Sequence, residues 1–564
     1  MKKKEIKTFF FLAGLISIAA FLRFYELAKV PIELFGDELD IGYQAYSLFK
    51  TGGDYFGNKW PVFFRSFAEY RMPMLVYLTA PLVGFFGLNN WAVRVIPALF
   101  GCIDIILVWI FLKQLTKNKT IVWTGAIFMS FIPWHTHYSR TGFDTTILLA
   151  FVFLSLIFFF RGLREKKFLL LSALIWPLTF YTYSTSLVFS LLFLPLIFWL
   201  YRLEISKAGR KTLALSGVIF LVVCLPLIAN LVNGRAGDRF SQISLLNDSQ
   251  MVDELYQKRA QERGGGRIFH NKAIYLGKEF ITNYLQAFSP EFLFINGDPN
   301  PRHSVNDFGM LFFVFAPLII LGFYSACAEK EANLKRANYL FLGWLLTAPI
   351  ASALTIDGGS HATRLFLMLP AWVYFASLGA RQFLSFKDKL LVKGTLVLLI
   401  TVFIGEGILY FHQYFFHYPR ESWEYFDFGY QEALTYLKEH ESDYDQVFID
   451  SAKGPPLLQT LYWLKIDPGF LKNNYQGQDW QVDIFPGFDG FKMGKYYFGE
   501  VQNPLALNQF LSPGMIYLAF QNTAVVPGDW NWERSSPDGV RVLKMVKRPF
   551  ADIPLIYLLT GEEN

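Results

Sequence analysis

Long apolar runs separated by short charged connections fill the first 411 residues, and the pattern then breaks off. The runs fall at 8–28, 92–112, 120–136, 145–160, 168–183, 186–201, 212–231, 308–327, 337–355, 363–380 and 390–411, each near the ~20 apolar residues that a transmembrane helix needs. The pattern predicts about eleven spanning helices. A further stretch, Met74 to Leu88, is short, follows Pro73 and contains Pro81. From 412 to 564 the chain alternates Pro, Gly, Asn and Trp clusters with short β-like runs such as Gln446-Val447-Phe448-Ile449 and Gly514-Met515-Ile516-Tyr517-Leu518-Ala519. That tail reads as a soluble α/β domain of ordinary size.

Composition agrees. Hydrophobic residues make up 53%, charged residues 17%, and the mean hydropathy is +0.30, whereas soluble domains carry roughly 25% charged residues. The net charge of +6 is therefore a topology signal and not a nucleic-acid footprint. The clusters Lys113/Lys117/Lys119, Arg161/Arg164/Lys166/Lys167, Arg202/Lys207/Arg210/Lys211, Lys330/Lys335/Arg336 and Arg381/Lys387/Lys389/Lys393 all become cytoplasmic if 74–88 does not cross. The positive-inside rule selects that arrangement, with a cytoplasmic N-terminus and 74–88 a re-entrant or surface-lying helix in a first external loop of about 30–91. The same parity puts the His135–Asp144 connection, the long loop 232–307, the Ile356–Arg364 connection and the tail 412–564 outside. Within the long loop, Glu262-Arg263-Gly264-Gly265-Gly266-Arg267 reads as a mobile hinge. Met1-Lys2-Lys3-Lys4 and the run behind it read as an uncleaved first helix. Cys102, Cys224 and Cys327 lie in apolar runs and read as small hydrophobes.

Asp37 and Glu38, with Asp40 close behind, lie just past the first run. A membrane boundary prefers aromatic anchors or basic residues there, so the acids point to catalysis; an acidic helix start is the plain alternative. In a helix Asp37 shares a face with Asp40 while Glu38 points elsewhere. Arg140 and Asp144, four apart in Tyr138-Ser139-Arg140-Thr141-Gly142-Phe143-Asp144, are expected to meet on one helical turn, as a site pair or an interfacial ion pair. Arg94 sits just inside an apolar run, where a charge is costly and usually functional, with snorkelling the alternative. Pro301-Arg302-His303 and His361-Ala362-Thr363-Arg364 also face outward. The guanidinium fork suits phosphate, so Arg94, Arg140, Arg302, His303, His361 and Arg364 are candidates for holding a lipid-linked phosphate, against interface anchoring.

No phosphate loop, His-Glu-x-x-His or Gly-x-Ser-x-Gly pattern occurs, so nucleotide hydrolysis, zinc proteolysis and serine hydrolysis lack support. His135 and His137 read better as core or interface histidines than as ligands. No cofactor is required; if a divalent metal is used, Asp37, Asp40 and Asp144 are the acids to hold it. Two rival functions remain. A lipid-linked glycan flippase needs ionisable groups near the midplane, and Asp104 and Glu406 are the main acids there. An envelope scaffold would use the tail, where Gly528-Asp529-Trp530-Asn531-Trp532 suits sugar stacking.

An Asp-Glu pair in the first external loop, Trp91-Ala92-Val93-Arg94 opening the second span, and Ser139-Arg140 to Asp144 after the third resemble, in that order, the protein O-mannosyltransferase and aminoarabinose transferase superfamily. The resemblance covers roughly 1–415 and is best over 30–160; the Trp-Trp-Asp signature of the oligosaccharyltransferase branch is absent. It implies a GT-C fold: an α-helical polytopic glycosyltransferase domain over 1–411, followed here by an extracytoplasmic α/β domain over 412–564 for which the family offers no assigned counterpart. It implies a cell-membrane enzyme that moves a sugar from a polyprenyl-phosphate donor to an extracytoplasmic acceptor by inverting displacement. Carried onto matching positions, Asp37 is the base, Glu38 and Asp144 support the site, and Arg94 and Arg140 orient carboxylates or phosphate.

Overall fold

The computed structural model describes residues 3–67, 69–232, 243–261, 266–521 and 539–562. The glycines at 264–265 of the expected hinge, and the Gly528–Trp532 stretch, lie outside the described residues. The chain divides into two compact units. The first comprises Met1–Leu27, Val62–Leu75 and Arg94–Phe415; the second comprises Ala28–Pro61, Val76–Val93 and Phe416–Asn564.

Among the described residues the strands of the first unit are a two-stranded hairpin, β1 (Phe64–Arg65) with β2 (Tyr70–Arg71), and its other regular elements are helices. A helix lies in each predicted run, beginning with α1 (Lys3–Phe24) and followed, beyond α2 (Gly36–Thr51) and α3 (Met74–Phe86), by α4 (Asn90–Leu115). Among the described residues six helices are long and apolar enough to cross a membrane: Glu5–Phe24, Asn90–Leu115, Thr145–Gly162, Arg210–Asn230, Ala362–Leu384 and Lys389–Glu421. Shorter apolar helices occupy Lys167–Tyr181, Thr185–Leu200 and Phe315–Ala328. α3 has 13 residues, about 20 Å of helix, well under the ~30 Å of a bilayer core.

Three runs depart from their expected limits for local reasons. The run 120–136 breaks at Pro133 into α5 (Lys119–Phe131) and α6 (Pro133–Tyr138), because proline starts a helix well and continues one badly. The run 308–327 becomes helical only at Phe315; the N–H groups of Phe313 and Val314 instead donate to the Glu406 carboxylate at 2.7 and 3.1 Å. The run 337–355 forms a helix over Ala332–Thr347, ending just before Pro349. Packing is closest where small residues face each other. A Cβ on Gly322 would collide with the Phe375 carbonyl, and one on Gly379 with the Leu318 carbonyl, which brings the helix Phe315–Ala328 backbone to backbone with Leu369–Leu384. Phe10 of α1 and Leu390 in Lys389–His412 remain 67% and 84% exposed, as lipid-facing residues should.

The second unit carries a seven-stranded sheet in the order β4-β5-β6-β3-β7-β9-β8. The strands are β3 (Gln446–Asp450), β4 (Gln481–Phe485), β5 (Phe488–Met493), β6 (Tyr496–Val501), β7 (Met515–Phe520), β8 (Val540–Lys547) and β9 (Pro554–Gly561). β3 is parallel to β6 and β7, and the outer strands pair antiparallel. With helices Tyr430–Glu439 and Pro456–Trp463, this is the α/β tail expected from the sequence. Phe448, Phe488, Phe510, Tyr517 and Tyr557 fill its core. The first loop packs into the same unit: a Cβ on Gly42 of α2 would stand 2.6 Å from the Tyr462 ring and 2.9 Å from Val93, and Tyr43 Oη donates to the Ile466 carbonyl at 2.9 Å.

Candidate functional site

α2 opens with Asp37 and Glu38 in its first turn, behind Phe35, which offers no side-chain cap. Carboxylates are favoured there by the unpaired N–H groups and the positive end of the helix dipole, so the sequence alone accounts for acids at this point. Burial then separates them. Glu38 and Asp40 are 0% exposed, and Asp40 Oδ1 accepts the Tyr55 hydroxyl at 2.7 Å. Asp37 is partly exposed and is the acid of the three that solvent reaches. Just before the helix, Glu33 is buried and accepts the N–H groups of Gly429 at 3.0 Å and Gln431 at 3.4 Å. Desolvation nevertheless pushes its carboxyl up to about 8.

In the first unit the four candidate arginines separate into two pairs. Arg94 and Arg140 are 0% exposed. Arg140 donates from Nη1 to the Leu22 carbonyl and from Nη2 to the Tyr25 carbonyl, both at 2.8 Å, and its guanidinium lies 4.9 Å from the Phe415 ring centre. Arg94 Nη1 donates to the Leu27 carbonyl at 3.4 Å. Both arginines thus hold carbonyls at the end of α1 and just past it, where helical partners run out. The expected helical turn joining Arg140 to Asp144 does not form. α6 ends at Tyr138 and the chain passes through bends, with Phe143 N–H donating to Thr141 O at 2.8 Å, before Asp144 flanks the helix α7 (Thr145–Gly162).

Arg302 and Arg364 are partly exposed, as are His303 and His361. Arg364 Nη1 donates to Thr355 Oγ1 at 2.6 Å and to the Ile356 carbonyl at 2.9 Å. His137 Nε2 bonds the Arg302 carbonyl at 2.8 Å, and the hydroxyls of Tyr138 and Thr363 meet at 2.7 Å, so the 302 and 361–364 segments are both tied to α6. Between them lies Asp298, a residue the sequence reading missed. Its Oδ2 is 2.9 Å from His303 Nδ1 and accepts the Ala362 N–H at 2.8 Å. The available signal was an acid five positions before a histidine, in the turn-forming string Gly297-Asp298-Pro299-Asn300.

The deep charges are spent on the chain itself. Arg23, also unforeseen, is 0% exposed. It bonds Ala19 O and Ser130 O at 3.1 Å and His135 Nδ1 at 2.8 Å, while His135 Nε2 meets Asp104 Oδ2 at 3.1 Å. His135 is the core histidine its surroundings predict. Glu406 caps the approach to the helix Phe315–Ala328, as described above.

Residues 71–229 match the family model of dolichyl-phosphate-mannose-protein mannosyltransferases. The chain is similar in fold to ArnT from Cupriavidus metallidurans in its apo state, with 11% identity, TM-score 0.54 and 98% of each chain covered. It is likewise similar to the same protein bound to undecaprenyl phosphate, with 11% identity, TM-score 0.53, and 97% of this chain and 98% of that chain covered. A structure of the Archaeoglobus fulgidus oligosaccharyltransferase tethered to an acceptor peptide aligns with TM-score 0.49 and 13% identity over 81% of this chain and 63% of that one. No curated protein sequence matches the chain.

Proposed function

We propose that the chain, which shares the fold of ArnT and matches the mannosyltransferase family model over residues 71–229, is a GT-C-fold membrane glycosyltransferase that moves a sugar from a polyprenyl-phosphate donor to an extracytoplasmic hydroxyl. The acceptor belongs to a protein, a lipid or a glycan. Asp37 takes the acceptor proton as the hydroxyl oxygen attacks the anomeric carbon from the face opposite the leaving group, so the configuration inverts. The bond to the phosphate oxygen breaks, and polyprenyl phosphate departs carrying the negative charge. Cations already in place stabilise that charge without reorganising; Arg302 and Arg364, both partly exposed, fill this role. Glu38 and Asp144 support the acidic side, and Arg94 and Arg140 act at one remove by holding the end of α1. The active face and the tail lie outside the cell membrane, with the N-terminus in the cytoplasm.

The observation that carries this reading is the split in burial on α2: of three acids in four residues, Asp37 alone reaches solvent. The undecaprenyl phosphate bound by the similarly folded ArnT supports the class of donor. The flippase reading loses ground, because Asp104 and Glu406 are both engaged by the chain. The test is transfer of radiolabelled sugar from a panel of polyprenyl-phosphate sugars by lipid-reconstituted protein, run beside Asp37→Asn, with the anomeric configuration of the product read by NMR. Release of polyprenyl phosphate that depends on Asp37, with an inverted product, is expected. Equal turnover by the variant would remove Asp37 from the role, and a retained configuration would exclude single displacement.

A further inference from the structure

We propose that the tip of the β8–β9 hairpin is an additional membrane anchor. Phe550 and Ile553 sit in the boundary between head groups and acyl chains of the bilayer that the chain itself spans, and Arg420 and Arg548 beside them face the lipid phosphates. The tip joins β8, which ends at Lys547, to β9, which starts at Pro554. Phe550 is 67% exposed and Ile553 43%, whereas β9 behind them is almost wholly buried. The inference rests on the membrane span and not on the transferase reading.

The turn is built to present an aromatic ring. Ala551 N–H donates to the Arg548 carbonyl at 3.3 Å, and Arg548 N–H to the Ile553 carbonyl at 2.8 Å, so Pro549 and Phe550 are the central residues of a tight turn. Proline suits the first of these positions. The second has φ +60°, a conformation that glycine adopts freely and a bulky side chain adopts only under strain. A ring therefore stands exposed where the backbone alone would favour glycine, and strain of that kind points to a use for the side chain. An ion pair between Lys547 and Asp552 closes the base of the turn, which neutralises the one carboxylate in 548–553.

The neighbours of the tip place it at the membrane edge. Arg420 Cζ lies 4.3 Å from the centre of the Phe550 ring, and Arg420 belongs to the last turn of the apolar helix Lys389–Glu421. That helix has 33 residues, about 50 Å, against ~30 Å for a hydrocarbon core and ~40–45 Å with the head groups, so its far end reaches the head-group layer. Phe416 and Tyr425 are exposed there and Trp423 is half-buried, the aromatic rings that this layer favours. Arg548 lies against Trp423, 5.6 Å from the ring centre. Among the described residues neither Arg420 nor Arg548 belongs to an ion pair, and a guanidinium suits phosphate. Two plainer readings explain less. Stacking on Arg420 covers one face of the Phe550 ring and gives Ile553 no role. Scattered exposed apolar residues are normal on a soluble surface, but these two share one turn, beside two arginines, at the end of a membrane span.

The test uses the full-length protein in phospholipid nanodiscs, with the photoreactive residue p-benzoylphenylalanine in place of Phe550 or, as a control, of Val482. Val482 is 72% exposed on β4, the opposite edge of the same sheet, roughly 25 Å or more away across strands ~4.8 Å apart. It matches Phe550 in exposure and apolarity but not in position. After irradiation, mass spectrometry is expected to find phospholipid adducts at 550 and at most a trace at 482. A second measurement needs no unnatural residue. Ile553→Cys and Val482→Cys are each reacted with a charged, membrane-impermeant maleimide in nanodiscs, with labelling of the native cysteines subtracted. Ile553→Cys should react roughly tenfold more slowly, the effect of a one-unit rise in thiol pKa on leaving water. Adding Phe550→Gly, which the backbone of the turn accommodates, should restore most of that rate by removing the ring that holds the tip in the boundary. Equal adduct yields at 550 and 482, an adduct at 550 to a second copy of this chain in place of lipid, or equal maleimide rates would overturn the proposal. The readouts are lipid contact and not turnover, so their failure is distinguishable from a failure of the role given to Asp37.

Discussion

Arg94 and Arg140 look from the sequence like Arg302 and Arg364: four guanidinium groups at one end of a helical bundle. Their surroundings differ sharply. The first pair is fully buried and holds the carbonyls of Leu22, Tyr25 and Leu27. The second pair is partly exposed, on segments tied to α6 and to Asp298. The acids repeat the division. Asp104 and Glu406 answer to His135 and to two backbone N–H groups, while Asp37 faces solvent. A charge inside a membrane protein is thus not a site merely because it was costly to bury; Arg94, Arg140, Asp104 and Glu406 hold the chain's own carbonyls, imidazole and N–H groups.

The sharpest way to break that comparison is at the acids. Asp37→Asn is expected to lower transfer by roughly 10³-fold, within the range that general-base catalysis supplies, with folding unchanged because the residue is partly exposed. Glu38→Gln should retain most activity per folded molecule. Reversed outcomes for the two, measured as initial rates in proteoliposomes, would mean that exposure in α2 does not identify the base.

The opposite result is expected for the spent acid. Asp104→Leu leaves Arg23 and His135 facing an apolar side chain in a buried setting, and breaking a buried charge network from one side costs about 3–5 kcal/mol. Thermal unfolding in detergent should show this as a large loss of stability, with the rate per folded molecule preserved. A stable Asp104→Leu protein with no transfer would return Asp104 to the functional residues.

The helical architecture was legible because spanning runs are long and their connections charged, and every predicted run holds a helix. Their edges were less so: Pro133, Pro349 and the Glu406 carboxylate set three of them through local contacts that hydropathy does not register. The acidic pair was visible at once, but not the burial that distinguishes Asp37 from Glu38 and Asp40. Asp298 was missed because its partners, His303 and His361, are joined to it by a turn and by a contact across some sixty residues. Arg23 was missed because a lone arginine near the end of an apolar run reads as a snorkelling anchor. The helical turn expected over Arg140 and Asp144 is absent because α6 ends at Tyr138, ahead of both residues, and α7 begins only at Thr145.

A gentler probe is Glu33, which belongs with the spent charges although it lies outside the helical unit. Its folded carboxyl titrates at about 8 instead of 4.5, so the folded state holds the proton more tightly than the unfolded chain. The stability linked to that proton is full below about pH 4.5 and is lost as pH rises through 8. The melting temperature of the wild-type protein should therefore fall between pH 5 and pH 8.5, by an amount worth on the order of a few kcal/mol. Glu33→Gln should flatten that slope while its amide oxygen still accepts one backbone N–H. An unchanged slope in the variant would assign the pH dependence to other groups.

The smallest expected effect returns to the arginines. Lysine keeps the charge of Arg140 but offers one ammonium in place of a fork, so it can serve Leu22 O or Tyr25 O with good geometry but not both. One hydrogen bond to a buried carbonyl is worth about 1–2 kcal/mol, and Arg140→Lys should lower the unfolding free energy by that much, read as a lower melting temperature, while leaving the KM for the donor within about twofold. Arg364→Lys differs in the KM: its guanidinium also holds Thr355 Oγ1 and the Ile356 carbonyl, so some stability is lost too, but a partly exposed guanidinium that meets phosphate also loses its bidentate contact and the KM for the donor rises. If Arg140→Lys raises the KM and spares the melting temperature, the buried pair touches donor after all, and burial fails as the criterion that separates the two kinds of charge.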